Sequence, residues 1–211
     1  MIERHQSFSE EIANSITHGL FLLASVAATP YLIAKAIQTK NNLIIFTTCI
    51  FTTTVILVYF ISTLYHAMPR SKKKEILRIV DYGSIYLLIA GSYTPFALNV
   101  IQGKLGWALF AIEWTMAFIG IVLLISTGLK NRGVSLVFYL TMGWLILIAI
   151  RPLLISLPLM GIILVFAGGT AYTFGVLYYR VSHLNFRHFI WHVFTVAGTT
   201  FHFIAVYLYA I

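Results

Sequence analysis

Residues 105–127 read LGWALFAIEWTMAFIGIVLLIST, an apolar stretch with a single ionisable side chain, Glu113, near its middle. A helix that crosses the hydrocarbon layer of a bilayer needs about 20 such residues. Working outward, six further runs can be drawn, at 16–37, 43–67, 79–100, 134–151, 153–178 and 188–210. Together they occupy most of the 211 residues, and the connections between them are short. Only Arg151-Pro152 separates the fifth run from the sixth, which predicts a tight turn there. No apolar run is left over for an eighth span. The chain is therefore read as all-α, a polytopic membrane protein with a bundle of seven transmembrane helices. It has one domain over residues 16–211, preceded by a short interfacial segment over 1–15.

Composition agrees with this reading. Sixty per cent of the residues are apolar, 9% are charged, and the mean hydropathy is +0.91. A soluble domain carries about 25% charged residues. These values exclude a soluble enzyme, a disordered chain and a nucleic-acid-binding domain with an open basic groove. The net charge of +8, from 14 Lys and Arg against 6 Asp and Glu, sits in the gaps between apolar runs. There it sets orientation and meets anionic membrane lipid rather than nucleic acid. The expected location is the plasma membrane. The one cysteine, Cys49, permits neither an intrachain disulfide nor a cysteine-based zinc site. Any metal site must use histidine and carboxylate.

The first run lacks the basic start of a signal peptide, since Glu3, Glu10 and Glu11 face Arg4 alone. It is expected to remain uncleaved. Ser7-Phe8-Ser9-Glu10 fits a capping box, and Phe8, Ile12 and Ile16 recur at helical spacing, so a short interfacial helix is expected before the first span. Ten Lys and Arg fall on the side of the N-terminal tail: Arg4; Arg70, Lys72, Lys73, Lys74 and Arg78; Lys130 and Arg132; Arg180 and Arg187. The other side has four: Lys35, Lys40, Lys104 and Arg151. The positive-inside rule then predicts a cytoplasmic N-terminus and an external C-terminus.

Ionisable groups within spans are costly and point to function. His66 falls at the end of the second span, Asp81 at the start of the third, and His188 and His192 in the first turns of the seventh. All four are expected at one depth, on the cytoplasmic side. His188 and His192 are four residues apart and share a helix face, about 5.4 Å from each other. Two imidazoles so placed can reach one ion, and His66 supplies a third nitrogen. Three protein ligands plus water is the usual plan of a catalytic zinc site. His18 lies at the same depth, as an outer hydrogen-bond donor or an alternative ligand. His202 is about 15 Å deeper than His192 and is assigned to packing or a polar contact. His5 and His183 are expected as interfacial residues bonded locally. Glu113 is expected to snorkel or to be hydrogen-bonded, and Lys72-Lys73-Lys74 to be a solvated loop.

At these residues the sequence resembles the bacterial hemolysin III family, within the superfamily of the progestin and adipoQ receptors. Glu11-x-x-Asn14-x-x-Thr17-His18-Gly19 is similar to the motif that opens the family's first span. Ser62-x-x-x-His66 resembles its second-span signature. Asp81-Tyr82-Gly83-Ser84 with Gly91-Ser92-Tyr93-Thr94-Pro95 resembles its third-span block, and His188-x-x-x-His192 with His202 its last span. In the adiponectin-receptor branch the resemblance implies zinc held by the residues equivalent to His66, His188 and His192. It implies contact of Asp81 with the metal-bound water, with Ser62 beside it, and it makes His18 and His202 non-ligands. The long N-terminal domain of the animal receptors has no counterpart here, so adipokine binding is not expected to carry over.

These residues suggest zinc-assisted hydrolysis of a lipid amide or ester, with Asp81 handling the proton and Ser62 hydrogen-bonding the water or the developing oxyanion. Resemblance to alkaline ceramidases points the same way. Membrane lipid is the expected partner and substrate source. Three alternatives remain open at this level: a cytolytic pore, a receptor-like homeostasis protein with structural zinc, and a haem protein using paired histidines.

Overall fold

The computed structural model describes residues 6–128, 132–181 and 184–211. Its described residues form helices and no strands, and seven helical segments are long and apolar enough to cross a membrane. Helix α1 runs Phe8–Gln38, α2 Asn42–Ala67, α3 Lys72–Pro95 and α4 Gly103–Thr127. The third span continues past α3 as a π-helical segment, Phe96–Ile101. The fifth span is composite: α5 (Arg132–Trp144), a 3-10 segment (Leu145–Ala149) and α6 (Ile150–Ser156). Helices α7 (Leu159–Arg180) and α8 (Arg187–Tyr209) complete the bundle.

The helix starts follow from the local sequence. Ser7 caps α1 in a capping box: Ser7 N–H donates to Glu10 at 2.8 Å, and Glu10 N–H donates to the Ser7 hydroxyl at 3.3 Å. The helix then runs unbroken through the interfacial residues into the first span. Asn41 caps α2 and Ser71 caps α3 with side chains that accept from backbone N–H groups of the first turn, without the reciprocal bond. Within the spans, Ser and Thr hydroxyls such as Thr17, Ser25, Thr48 and Thr94 donate back to carbonyls one turn earlier. That satisfies hydroxyls that lipid cannot.

Two sequence-based expectations need correcting here. Arg151-Pro152 is not a turn. Pro152 falls in the first turn of α6, where a missing N–H leaves no bond unmade. The fifth span therefore extends over Gly133–Ser156. The break comes at Leu157-Pro158, with Leu157 extended at φ −106°, ψ 141°, as a residue before proline prefers. Glu113 is the second correction. It is fully buried, and neither carboxyl oxygen has a hydrogen-bond partner among the described residues. Ten residues into α4, about 15 Å from its start, it is too deep to snorkel. His5, His183, Arg4 and Lys130 lie outside the described residues.

Helices adjacent in sequence pack side by side, and α8 closes the arrangement by packing on both α7 and α1. The third span is the most enclosed of the seven. Polarity is inverted relative to a soluble protein. Phe8, Ile12 and Ile16 face outward, while Glu10, Asn14 and His18 on the same helix face inward. Without a hydrophobic drive between helices, close backbone approach supplies the packing. Gly106 of α4 lies against the backbone of the third span, and a Cβ there would stand 2.2 Å from the Ala97 carbonyl oxygen. His202 takes the role expected of it, with Nε2 donating to the Val165 carbonyl at 3.1 Å between α8 and α7.

Gly106→Ala is expected to lower stability by about 1–3 kcal/mol, because the opposing atom is backbone and cannot rotate away. Thermal unfolding in detergent measures this. Gly133→Ala, at a site with open space, is the control that should leave the midpoint in place.

Candidate metal centre

Two helices deliver the histidines. His66 stands in the last turn of α2, and His188 and His192 occupy successive turns at the start of α8. All three are buried, and one ring nitrogen of each lies within 4.8 Å of the others. The ring centroids are 5.0 Å apart for His66–His188, 4.9 Å for His66–His192 and 4.5 Å for His188–His192. The trio therefore has the arrangement of a metal-binding cluster.

Two nitrogens leave the trio able to hold a metal ion. Nδ1 of His66 donates to Glu11 Oε2 at 2.7 Å, so its Nε2 keeps a free lone pair, and that atom is buried with no hydrogen-bond partner among the described residues. The His192 ring bonds the Asn14 backbone carbonyl, and its Nδ1 is likewise buried and unpartnered. A ligating histidine usually donates its other N–H to a carboxylate or a carbonyl, which fixes the tautomer. Both forms of that support are present, one from Glu11 and one from Asn14.

Helix α1 organises this shell. Glu11 accepts a second cationic contact from Lys74 Nζ at 2.9 Å, and Lys74 also donates to the Met68 carbonyl at 2.9 Å. Lys72 and Lys73 are exposed, as expected of a solvated run, but Lys74 turns inward. Glu10 accepts from the Phe186 N–H at 2.7 Å, immediately before α8. Phe186 holds a left-handed backbone, φ +55°, and its side chain caps nothing. The Glu10 carboxylate thus closes the N-terminus of α8 from a neighbouring helix, where negative charge is favoured.

Asp81 of α3 is buried beside the trio, and the Ser62 hydroxyl hydrogen-bonds its carboxyl. Asp81 and His188 line one narrow cleft together with Tyr82, Tyr139, Tyr179 and Trp191. Ser62 lies one turn before His66 on α2, so a single helix presents both. His18 stacks on His192, with centroids 3.6 Å apart and planes within 11°. It packs on the face of the His192 ring, whereas Asp81 and Ser62 bring polar atoms beside the trio.

Glu10, Glu11 and Lys74 are the participants that the site reading missed. Their signal was the spacing of Glu11, Asn14 and His18, which puts a polar face on an otherwise apolar helix. What that face meets depends on how α1 is turned in the bundle.

The haemolysin-III-related family matches residues 6–203 of the chain. Hemolysin-3 homolog of Bacillus subtilis is 40% identical over 205 residues, covering 97% of this chain and 96% of that protein. Hemolysin-3 of Bacillus cereus is 39% identical over 213 residues, covering 100% and 96%. The human monocyte to macrophage differentiation factor is 27% identical over 212 residues, covering 95% and 84%. No solved structure matches the chain.

Replacing Glu11 with Gln removes the charge that holds His66 in its Nδ1–H tautomer. Affinity for a divalent metal titrated into the purified chain is expected to fall about 10- to 100-fold. Competition with a chelator measures it, and unchanged binding would remove Glu11 from the site.

Proposed function

The chain belongs to the haemolysin-III-related family of multi-pass membrane proteins, and from that premise we propose that it is a zinc-dependent hydrolase of lipid amide or ester bonds in the plasma membrane. The observation that carries this reading is the buried trio His66, His188 and His192 with the Asp81–Ser62 pair at its edge. An all-nitrogen donor set suits zinc. His66, His188 and His192, each with a ring nitrogen within 4.8 Å of the others, are the residues that would hold the ion.

A zinc ion held there would supply Lewis-acid polarisation of a carbonyl and would make a water acidic enough to attack near neutral pH. The chain supplies the rest. Asp81 accepts a proton from the attacking water and returns it to the leaving amine or alcohol. Ser62 aligns the Asp81 carboxyl and has a hydroxyl to offer a developing oxyanion. Glu11 and Asn14 hold the His66 and His192 rings in place.

Lipid as the substrate class is supported by a second feature. An apolar cavity of about 80 Å³ lies between α3, α5, α7 and α8, lined by Leu88, Phe96, Trp144, Val165 and Phe166 among others. It shares Ile85, Tyr139 and Trp191 with the cleft at Asp81 and His188. A hydrocarbon tail in that cavity would bring its head to the histidines. The Bacillus relatives carry names that speak of lysis. The buried bulk of Phe51, Tyr59, Tyr86, Met142 and Leu153 in this bundle favours a packed enzyme core over a pore.

Metal analysis and lipid turnover on the purified protein test the proposal together. Wild type is expected to hold zinc and to release fatty acid from an acyl-amide or acyl-ester lipid. His66→Ala should lose both. Asp81→Asn should keep zinc and lose turnover about 10²- to 10⁴-fold. Zinc-loaded wild type without turnover on any acyl lipid would leave a structural metal in place of the enzyme.

A further inference from the structure

Glu113 takes no part in the histidine site, and its position asks for an explanation. It is fully buried on α4, with Oε1 and Oε2 both unpartnered among the described residues. A bare carboxylate at that depth is strongly disfavoured unless a cation neutralises it. The Tyr93 phenol is a titratable neighbour, and among the described residues no Lys, Arg or His hydrogen-bonds either oxygen.

Glu113 itself lies in regular α-helix, but the spans that pack on α4 are irregular. One turn before Glu113, Leu109 packs with Ala97 and Leu98 of the third span and Ala149 of the fifth. Just after it, Trp114 N–H donates to Thr94 at 3.1 Å. Glu113 therefore faces the level at which two spans leave α-helical geometry: the π-helical Phe96–Ile101 and the 3-10 segment Leu145–Ala149. Tyr93 joins the two regions. Its hydroxyl donates to the Gly143 carbonyl at 2.9 Å and accepts from Ile146 N–H at 2.8 Å. Such departures change which carbonyls are free, and within a membrane they persist only where protein or a cavity encloses them. Broken spans that place free carbonyls near the bilayer midplane are a recurrent way of holding small cations in membranes.

We propose that Glu113, together with carbonyls of the two non-α segments, forms a binding site for a monovalent cation, a proton or Na⁺, in the middle of the membrane. The site is separate from the histidine trio and does not depend on the hydrolase reading. Occupancy neutralises the carboxylate and steadies the two broken spans around Tyr93. Loss of the cation leaves a buried charge that those spans must move to relieve.

The test uses the full chain in lipid nanodiscs and dicyclohexylcarbodiimide, an apolar reagent that modifies protonated carboxyls. Peptide mass spectrometry reads the labelled position. Modification is expected at Glu113 and lost in Glu113→Gln. Suppression by NaCl but not by choline chloride at fixed pH identifies Na⁺ as the ligand. Suppression only by rising pH identifies the proton. Labelling indifferent to both, or absent from Glu113 across mildly acidic to mildly alkaline buffer, overturns the proposal. As a second measurement, the wild-type unfolding midpoint rises with the same cation, and the Glu113→Gln midpoint does not. Equal responses in the two chains would also overturn it.

Discussion

The hydrogen bond between Glu11 and His66 is the interaction on which the site depends. It joins α1 to α2, selects the imidazole tautomer and leaves a lone pair directed at the other two histidines. One residue earlier, Glu10 ties the same helix to the start of α8. Two consecutive carboxylates thus anchor both walls of the histidine cluster from a single turn. The arrangement needs helix geometry for its effect, since neighbouring positions on α1 point about 100° apart and reach different neighbours.

The wider constraint is the absence of water within the bilayer core. Polar side chains in the spans must be served by the protein, so they turn inward and bond to backbone or to one another. Tyr59 illustrates this, with its hydroxyl 2.7 Å from Thr199 across the α2–α8 contact. Tyr172 meets the same threonine at 2.7 Å from α7. These contacts hold α8 in register with α2 and α7, and so fix the depth at which His188 and His192 emerge. The catalytic reading and the packing of the bundle therefore share one set of contacts.

Glu113 stands against this background as the exception. Elsewhere in the described bundle, buried carboxylates are served: Glu10 by two backbone N–H groups, and Asp81 by Ser62. At Glu113 the protein instead provides enclosure, a nearby phenol and irregular backbone on two sides. The two special regions also differ in chemistry. Imidazole nitrogens collect at one end of the bundle, whereas Glu113 is a carboxyl with the Tyr93 phenol as its titratable neighbour.

Span number, helical class and membrane residence were legible in the sequence, because the length and apolarity of a segment decide whether it can cross lipid. The depth of His66, Asp81, His188 and His192 was legible as well, since rise per residue is constant along a helix. Three things were not. Pro152 looked like a turn because a proline in the first turn of a helix and a proline in a loop are alike in sequence. Lys74 looked like a solvated charge, and the partner of Glu11 could not be read, because contacts across helices depend on how each helix is rotated. Glu113 looked like an ordinary polar group for the same reason. Depth is a property of one chain segment and can be counted. Rotation and partnership belong to several segments at once, and only their packing decides them.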